Sequence, residues 1–367
     1  MKNSSAAYQQ CNRCVMDTSD PLIEFDEIGN CNHCNKYIEQ LPNTIIRGPE
    51  GLAELDKLLE RARQSGQGKK YDVIMGVSGG MDSSYVAYRA KHFGLRILAV
   101  HLDNGWNSEL SVKNIENCIK YAGADLFTHV IDWEEFKSMQ VAYLKAGVID
   151  IEALTDHAIR SIIYKLTDKY KIEYNLSGSN YTTEGILPNS WVYNKLDYKN
   201  IRSISRRFGA RRHRTFPGMS LGKYIYYRAF AKIKPIDVLN LIDYKVDTAI
   251  QDMENDMGWK YYGGKHHESI FTKFYQGYIL PEKFGVDKRK AHYSTLICSG
   301  NMTREDALLK LRSDIYTANE LDNDMEYVLK KLGITESAFK KIMQEPVRSH
   351  LDYPNNNALF QFFKRFS

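Results

Sequence analysis

The stretch that most restricts the fold runs from Tyr71 to Ser84 and reads YDVIMGVSGGMDSS. Val73, Ile74, Met75 and Val77 form a short, β-branched apolar run of the kind that fills a buried parallel strand, and it breaks at Ser78-Gly79-Gly80. Asp82 to Gly94 then reads as a helix. A strand, a glycine turn and a helix N-terminus gather several backbone N–H groups around one concave point, where the helix dipole also favours negative charge. Gly79 and Gly80 are expected to supply positive φ and close approach of an anion, and the hydroxyls of Ser78, Ser83 and Ser84 to add donors. Asp82 does not suit a bare phosphate cradle. A carboxylate there repels phosphates unless a cation stands between, which predicts Mg²⁺.

The chain's 367 residues can hold about two domains plus a small module, and a hydrophobic content of 43% supplies an ample core. It contains no apolar run long enough to span a bilayer, and its start, MKNSSAAYQQCNRC, lacks the apolar core of a signal peptide. Export and membrane partners are therefore not expected, and a cytoplasmic location is. A net charge of +5 is too small to demand nucleic acid. The 25 tyrosines suit stacking on rings or sugars as well as core packing.

Four of six cysteines fall at the start, as Cys11-Asn-Arg-Cys14 and Cys31-Asn-His-Cys34, with turn formers between the two knuckles. This spacing matches a four-thiolate zinc site, tetrahedral and closed, hence structural. A module over residues 1–48 whose core is only Ile23, Phe25 and Ile28 needs such a staple. Two dithiols for redox chemistry are the other reading. His33 is expected to be solvated, and Cys118 and Cys298, far apart in sequence, to be buried singly.

An amphipathic helix over Leu52 to Arg63 leads into an α/β unit, residues 49–200. Its further elements are a strand from Leu95 to Leu102, a helix from Glu109 to Ala122, a strand from Leu126 to Ile131 and a helix from Glu134 to Ala146. This alternation predicts a doubly wound parallel sheet, with ligands beyond the carboxyl ends of its strands. His101 and Asp103 are placed there, with the backbone of Val100 to Leu102 at an adenine and Asp103 either near a ribose or metal, or capping the next helix. Thr155 is expected to cap a helix over Asp156 to Tyr170; alternatively Thr155-Asp156-His157 points into the cleft. A strand from Tyr174 to Ser177 then enters Gly178-Ser179-Asn180-Tyr181-Thr182-Thr183-Glu184-Gly185, where Gly178 and Asn180 are expected at the nucleotide and Glu184 as second magnesium ligand.

Residues 201–367 are expected to form a basic segment and a helical region that meets substrate or partner. Between Asp197 and Asp237 there is no acid, while Arg202, Arg206, Arg207, Arg211, Arg212 and Arg214 crowd together. An RNA-binding face, a pocket for an anionic substrate and a docking surface for an acidic partner all fit; arginine over lysine favours bidentate contacts. Helices follow at Ile236 to Met253, Thr303 to Leu311, Asn319 to Leu332 and Thr335 to Met343, with Thr303 and Thr335 as caps. Between them, Gly263-Gly264-Lys265-His266-His267 and Lys288-Arg289 set cations among glycines, which suits pyrophosphate or acid recognition.

The pattern Ser-Gly-Gly-x-Asp-Ser resembles the PP-loop of the ATP pyrophosphatases, which grip the β,γ-pyrophosphate of ATP and transfer AMP to a carbonyl or amide oxygen. With the cysteine knuckles, SGSNYTTEG, RRFG at Arg206, GGKHHESIFTKF, KFGVDKR and LICSGNMTRE, nearly the whole chain resembles the N-acetyl sugar amidotransferases of bacterial surface-polysaccharide and flagellin-sugar synthesis. The resemblance implies that an acetamido group becomes an acetamidino group: its oxygen attacks the α-phosphate, pyrophosphate leaves, and ammonia displaces AMP. Asp82, Ser83 and Lys265 are then the expected catalytic residues, and Arg206, Arg207, Lys265, His266, Lys288 and Arg289 those that meet the sugar substrate. ATP, Mg²⁺ and Zn²⁺ are the implied cofactors. The implied nitrogen source is a separate glutaminase, similar to the one that feeds imidazole glycerol phosphate synthesis, docked with a cyclase-like barrel subunit. A PP-loop enzyme of tRNA thiolation is the alternative, though such enzymes use further cysteines near the active site.

Overall fold

The computed structural model describes residues 7–231, 233–263 and 268–364. Helices α1 (Asn32–Thr44) and α2 (Gly48–Ser65) precede β1 (Val73–Gly76), α3 (Met81–Ala90), β2 (Ile97–Asp103), α4 (Glu109–Ala122), β3 (Asp125–Val130), α5 (Trp133–Ala146), α6 (Ala153–Tyr170) and β4 (Tyr174–Ser177). There follow α7 (Tyr181–Glu184), α8 (Tyr198–Phe208), α9 (Leu221–Tyr226), β5 (Lys234–Asp237), α10 (Val246–Met257), α11 (Ile270–Phe274), α12 (Lys288–Cys298), α13 (Arg304–Arg312), α14 (Ala318–Leu332), α15 (Glu336–Gln344) and α16 (Asn357–Lys364). Among the described residues no helix is long and apolar enough to cross a membrane.

The strands pair in parallel in the order β3-β2-β1-β4-β5. The order reverses between β1 and β4, so the crevice for a ligand opens beyond the ends of these two strands. Alternation along β1 sends Ile74 to one side, with Leu98, Val100 and the apolar faces of α5 and α6. Val73 and Met75 go to the other side, with Leu55, Leu59, Val86, Ile115 and Met253 from α2, α3, α4 and α10. Both faces of the central strands are thus covered, as a parallel sheet requires. Ser108 and Asp132 cap α4 and α5 by accepting from Ser111 and Glu135 N–H, and Gly123 and Gly147 end these helices in the left-handed conformation.

Three expectations are corrected here. The segment from Ile236 is not helical at its start: Lys234 to Asp237 takes the edge slot beside β4, and α10 begins only at Val246. Short apolar runs do not separate strand from helix by periodicity. The sheet therefore draws on chain beyond residue 200, and that expected boundary falls inside the folded unit. Second, α6 starts three residues earlier than expected, so Thr155 lies within it and accepts a hydrogen bond from Asn104 Nδ2 at 3.3 Å instead of capping. Third, the cysteine module does not rest on Ile28, which is exposed, nor is His33 solvated, since its Nε2 lies 2.6 Å from Asp20. The module leans on the C-terminal region: Val15 N–H donates to Ser294 Oγ at 3.1 Å, and Arg304 donates to the carbonyls of Cys14 and Cys11, each at 3.0 Å. Tyr37 stacks on Tyr181 at 4.4 Å.

Candidate active site

The loop after β1 is built as its sequence requires at Gly79, whose φ is +78° and whose missing Cβ would lie 2.7 Å from the Ser111 carbonyl. Gly80 differs: its φ is −73°, and it serves as N-cap of α3. Ser78 Oγ and Ser83 Oγ lie 3.1 Å apart, Gly80 N–H donates to Ser78 Oγ at 3.1 Å, and Ser78 N–H donates to Ser83 Oγ at 3.3 Å. The N–H groups of this turn are thus held by mobile hydroxyls, which an anion can replace without disturbing the backbone. The cradle fits a phosphate. Ser84 does not belong to it, because it is fully buried behind the loop, near the Cys118 thiol.

Asp82 sits in the first turn of α3, where its Oδ1 accepts from Tyr244 Oη at 2.6 Å and its Oδ2 from Thr183 Oγ1 at 3.5 Å. Burial, then the Asp82 charge and its hydrogen bond, push the Tyr244 phenol far above its ordinary value, and Glu184 adds to the shift. Both predicted magnesium ligands therefore act on one tyrosine, Asp82 from α3 and Glu184 from the end of α7. The Asp82 carboxylate beside a phosphate cradle, with Glu184 in the adjoining loop, suits a cation whose remaining ligands are phosphate oxygens and water. Gly178 lets the two loops meet, since a Cβ there would come within 3.2 Å of Ser83 N and Cα. Asn180 is buried and caps α7 through Thr183 N–H at 2.8 Å, so it shapes the loop from within.

Beyond β2, His101 is nearly buried; its Nδ1 donates to the Val77 carbonyl at 3.0 Å and its Nε2 accepts from Asn107 Nδ2 at 3.0 Å. Burial lowers its pKa, and it stands as a neutral strut between β1 and the turn after β2. Asp103 Oδ1 accepts from Gly105 N–H at 2.9 Å, closing its own turn, while the cap of α4 is Ser108. The trio at the start of α6 is divided: Thr155 faces Asn104, Asp156 lies 3.2 Å from Lys195, and His157 is buried between the Lys195 carbonyl and Met219 N–H.

Among the described residues, Arg206, Arg207, Lys288 and Arg289 do not converge on the loop. Arg206 and Arg207 line a pocket of about 580 Å³ on the outer face of α8, with Tyr198, Lys199, Arg202 and Tyr353, and it shares no lining residue with the Asp82 site. Among the described residues none of these four cations forms an ion pair. Lys288 instead pairs with Glu152 at 2.9 Å, and Arg289 with Asp287 at 2.8 Å, so α12 holds both in internal contacts. Lys265 and His266 lie outside the described residues.

Several residues at the loop carried no separate sequence signal. Trp259 Nε1 donates to the Gly79 carbonyl at 3.3 Å, and Met81 N–H donates to Tyr262 Oη at 2.8 Å. Glu268 Oε1 lies 2.9 Å from where a Gly80 Cβ would stand. The run Trp259-Lys-Tyr-Tyr262 reads as core by composition; its position just before a glycine pair was the available hint.

The four knuckle thiols are buried and their Sγ atoms lie within 4.8 Å of one another, the one such cluster among the described residues. Cys14 and Cys34 N–H groups donate to Cys11 and Cys31 Sγ, each at 3.4 Å, as thiolates at a metal require. The donor set fits zinc. Cys298 also approaches Cys34 and is therefore not isolated.

Two family models match the chain. Residues 72–175 match the queuosine biosynthesis protein QueC, and residues 268–367 match the C-terminal domain described as LPS biosynthesis protein WbpG-like. Distant structural likenesses include NMN synthetase from Francisella tularensis, at 15% identity, covering 65% of this chain and 92% of that one with a TM-score of 0.29. The NH3-dependent NAD synthetase from Campylobacter jejuni aligns at 16% identity over 76% of this chain and 97% of that one, with a TM-score of 0.33. No curated protein matches. With its serine-glycine turn at the reversal point of a 3-2-1-4-5 sheet, the chain carries a PP-loop domain of the ATP pyrophosphatase type, followed by a WbpG-like C-terminal domain.

Proposed function

We propose that the chain is an ATP-dependent amidotransferase that converts an acetamido group of a sugar, one linked to a nucleotide carrier, to an acetamidino group for a bacterial surface glycan. The observation that carries this reading is the Asp82 carboxylate at a phosphate cradle, held by Tyr244 Oη at 2.6 Å. ATP supplies the chemistry that makes an amide oxygen a leaving group. The chain's part is positional: Gly79 and the Ser78 and Ser83 hydroxyls would receive phosphate oxygens, and Asp82 with Glu184 would hold a Mg²⁺ that offsets their charge. Tyr244 fixes the Asp82 carboxylate towards the loop. The WbpG-like match over residues 268–367 supports the surface-glycan setting.

The cations of the α8 pocket, which form no ion pair among the described residues, are assigned to the anionic part of the substrate. Nitrogen is assigned to ammonia from a separate glutaminase with its barrel subunit. Thiolation is the weaker reading, because burial pushes the Cys118 thiol up to about 11 and Cys298 stands at the zinc cluster.

The test is Asp82→Asn, assayed by mass spectrometry against a panel of nucleotide-linked acetamido sugars. The variant is expected to keep the wild-type melting temperature and lose AMP release by roughly a hundredfold or more. AMP release at the wild-type rate in a folded variant contradicts the assignment.

A further inference from the structure

The sheet's β3 edge does not look like the edge of a solitary molecule. Every other strand of the sheet contributes buried residues, yet all but one residue of β3 are exposed, and the exposed set includes Leu126, Phe127 and Val130, the last at 68%. Monomeric proteins protect an edge with charges, proline or a covering element. The one charged residue ordinarily ionised in β3 is Asp125 at its first position, 3.6 Å from Lys70. We propose that two copies of the chain pair through β3, antiparallel about a two-fold axis, to form one continuous sheet.

The register follows from the backbone. Ile131 N–H donates inward to the Asp103 carbonyl, so His129 and Phe127 also turn their amide groups to β2, and Leu126, Thr128 and Val130 turn theirs outward. The outward groups match best when Thr128 lies opposite Thr128 of the second copy, because Leu126 then meets Val130 on both sides, and each such pair exchanges both its hydrogen bonds. In that register Leu126 and Val130 cover each other on one face, and Phe127 lies against His129 on the other. The charges agree as well. Antiparallel pairing brings Lys70, exposed and 3.6 Å from Asp125, towards the turn of the second copy that carries Asp132 and Glu134, where Glu134 is half exposed beside Lys137 of its own helix and Asp132 caps that helix. An isologous contact of this kind is self-complementary and closed.

The experiment is sedimentation equilibrium of the full chain, with hydrogen exchange followed at the β3 amides. The wild type is expected at twice 42.4 kDa, with the Leu126, Thr128 and Val130 amides at least about tenfold slower to exchange at high protein concentration than at low. Val130→Lys is expected to sediment as a monomer, to lose that protection and to keep the melting temperature that the wild type shows at low protein concentration, since Val130 is a surface residue in the single chain. A wild type that stays monomeric overturns the proposal. So does a dimer whose β3 amides exchange freely, or one that Val130→Lys leaves intact, since another surface must then join the copies.

Discussion

Gly79 and Gly80 are neighbours of the same type, and the fold asks opposite things of them. Gly79 occupies the left-handed region at φ +78° with the Ser111 carbonyl in the way of any Cβ, whereas Gly80 lies at φ −73° and faces the ends of two side chains, Glu268 and Ser78. Gly79→Ala is expected to cost on the order of 1–3 kcal/mol and to lose ATP turnover, because both the conformation and the space are denied. Gly80→Ala is expected to cost less than half as much, as flexible side chains can retreat. Urea titration and AMP release on the two variants check the contrast. The sequence made the loop and Asp82 legible, because hydroxyl, glycine and carboxylate at this spacing have few other uses. It did not reveal Tyr244, Tyr262 or Trp259, which reach the loop from chain more than 150 positions away and look like ordinary core aromatics. Nor did it show that Lys288 and Arg289 answer internal carboxylates, since partners distant in sequence decide whether a cation is free.

Elements are held to one another by polar groups that must stay in one protonation state. His157 in α6 donates through Nδ1 to the Lys195 carbonyl at 2.8 Å and accepts through Nε2 from Met219 N–H at 2.9 Å, which ties α6 to the segments around α8. Burial pulls its pKa down to about 4, against about 6.5 in an unfolded chain. Below about pH 6.5 the unfolded chain takes up a proton that the folded one refuses, so stability is full above that pH, declines towards about pH 4 and then levels. The contribution is up to roughly 3 kcal/mol, and a urea-stability profile of His157→Gln is expected to be flatter over this window. At the N-terminus, Cys31→Ser is expected to lose zinc by elemental analysis and to loosen the whole module from α12, with a fall in melting temperature, since Val15 and the Cys14 carbonyl are seated only while the knuckles are. Iron as the native occupant, or zinc retained in the variant, contradicts this. The knuckles, the first four strands and the caps Thr303 and Thr335 could be read from spacing and turn chemistry. The edge strand β5 could not, because four residues carry no decisive period and only the vacancy beside β4 makes them a strand.

The whole molecule joins a parallel sheet, a module with four clustered cysteines and a helical region, with the N-terminal module packed on the C-terminal helices. In the isolated chain, high ammonium chloride at alkaline pH is expected to serve as nitrogen source and glutamine is not, since a neutral amine must attack a group that water also attacks. The central claim is that the amide oxygen of an acetamido sugar is carried away on AMP. Supplying a substrate labelled with ¹⁸O in its acetamido group, together with ATP and ammonium, and weighing the released AMP tests that claim most directly. AMP heavier by one ¹⁸O, formed with pyrophosphate and one acetamidino sugar and suppressed in Asp82→Asn, is the expected result. Unlabelled AMP, or ADP in its place, contradicts it.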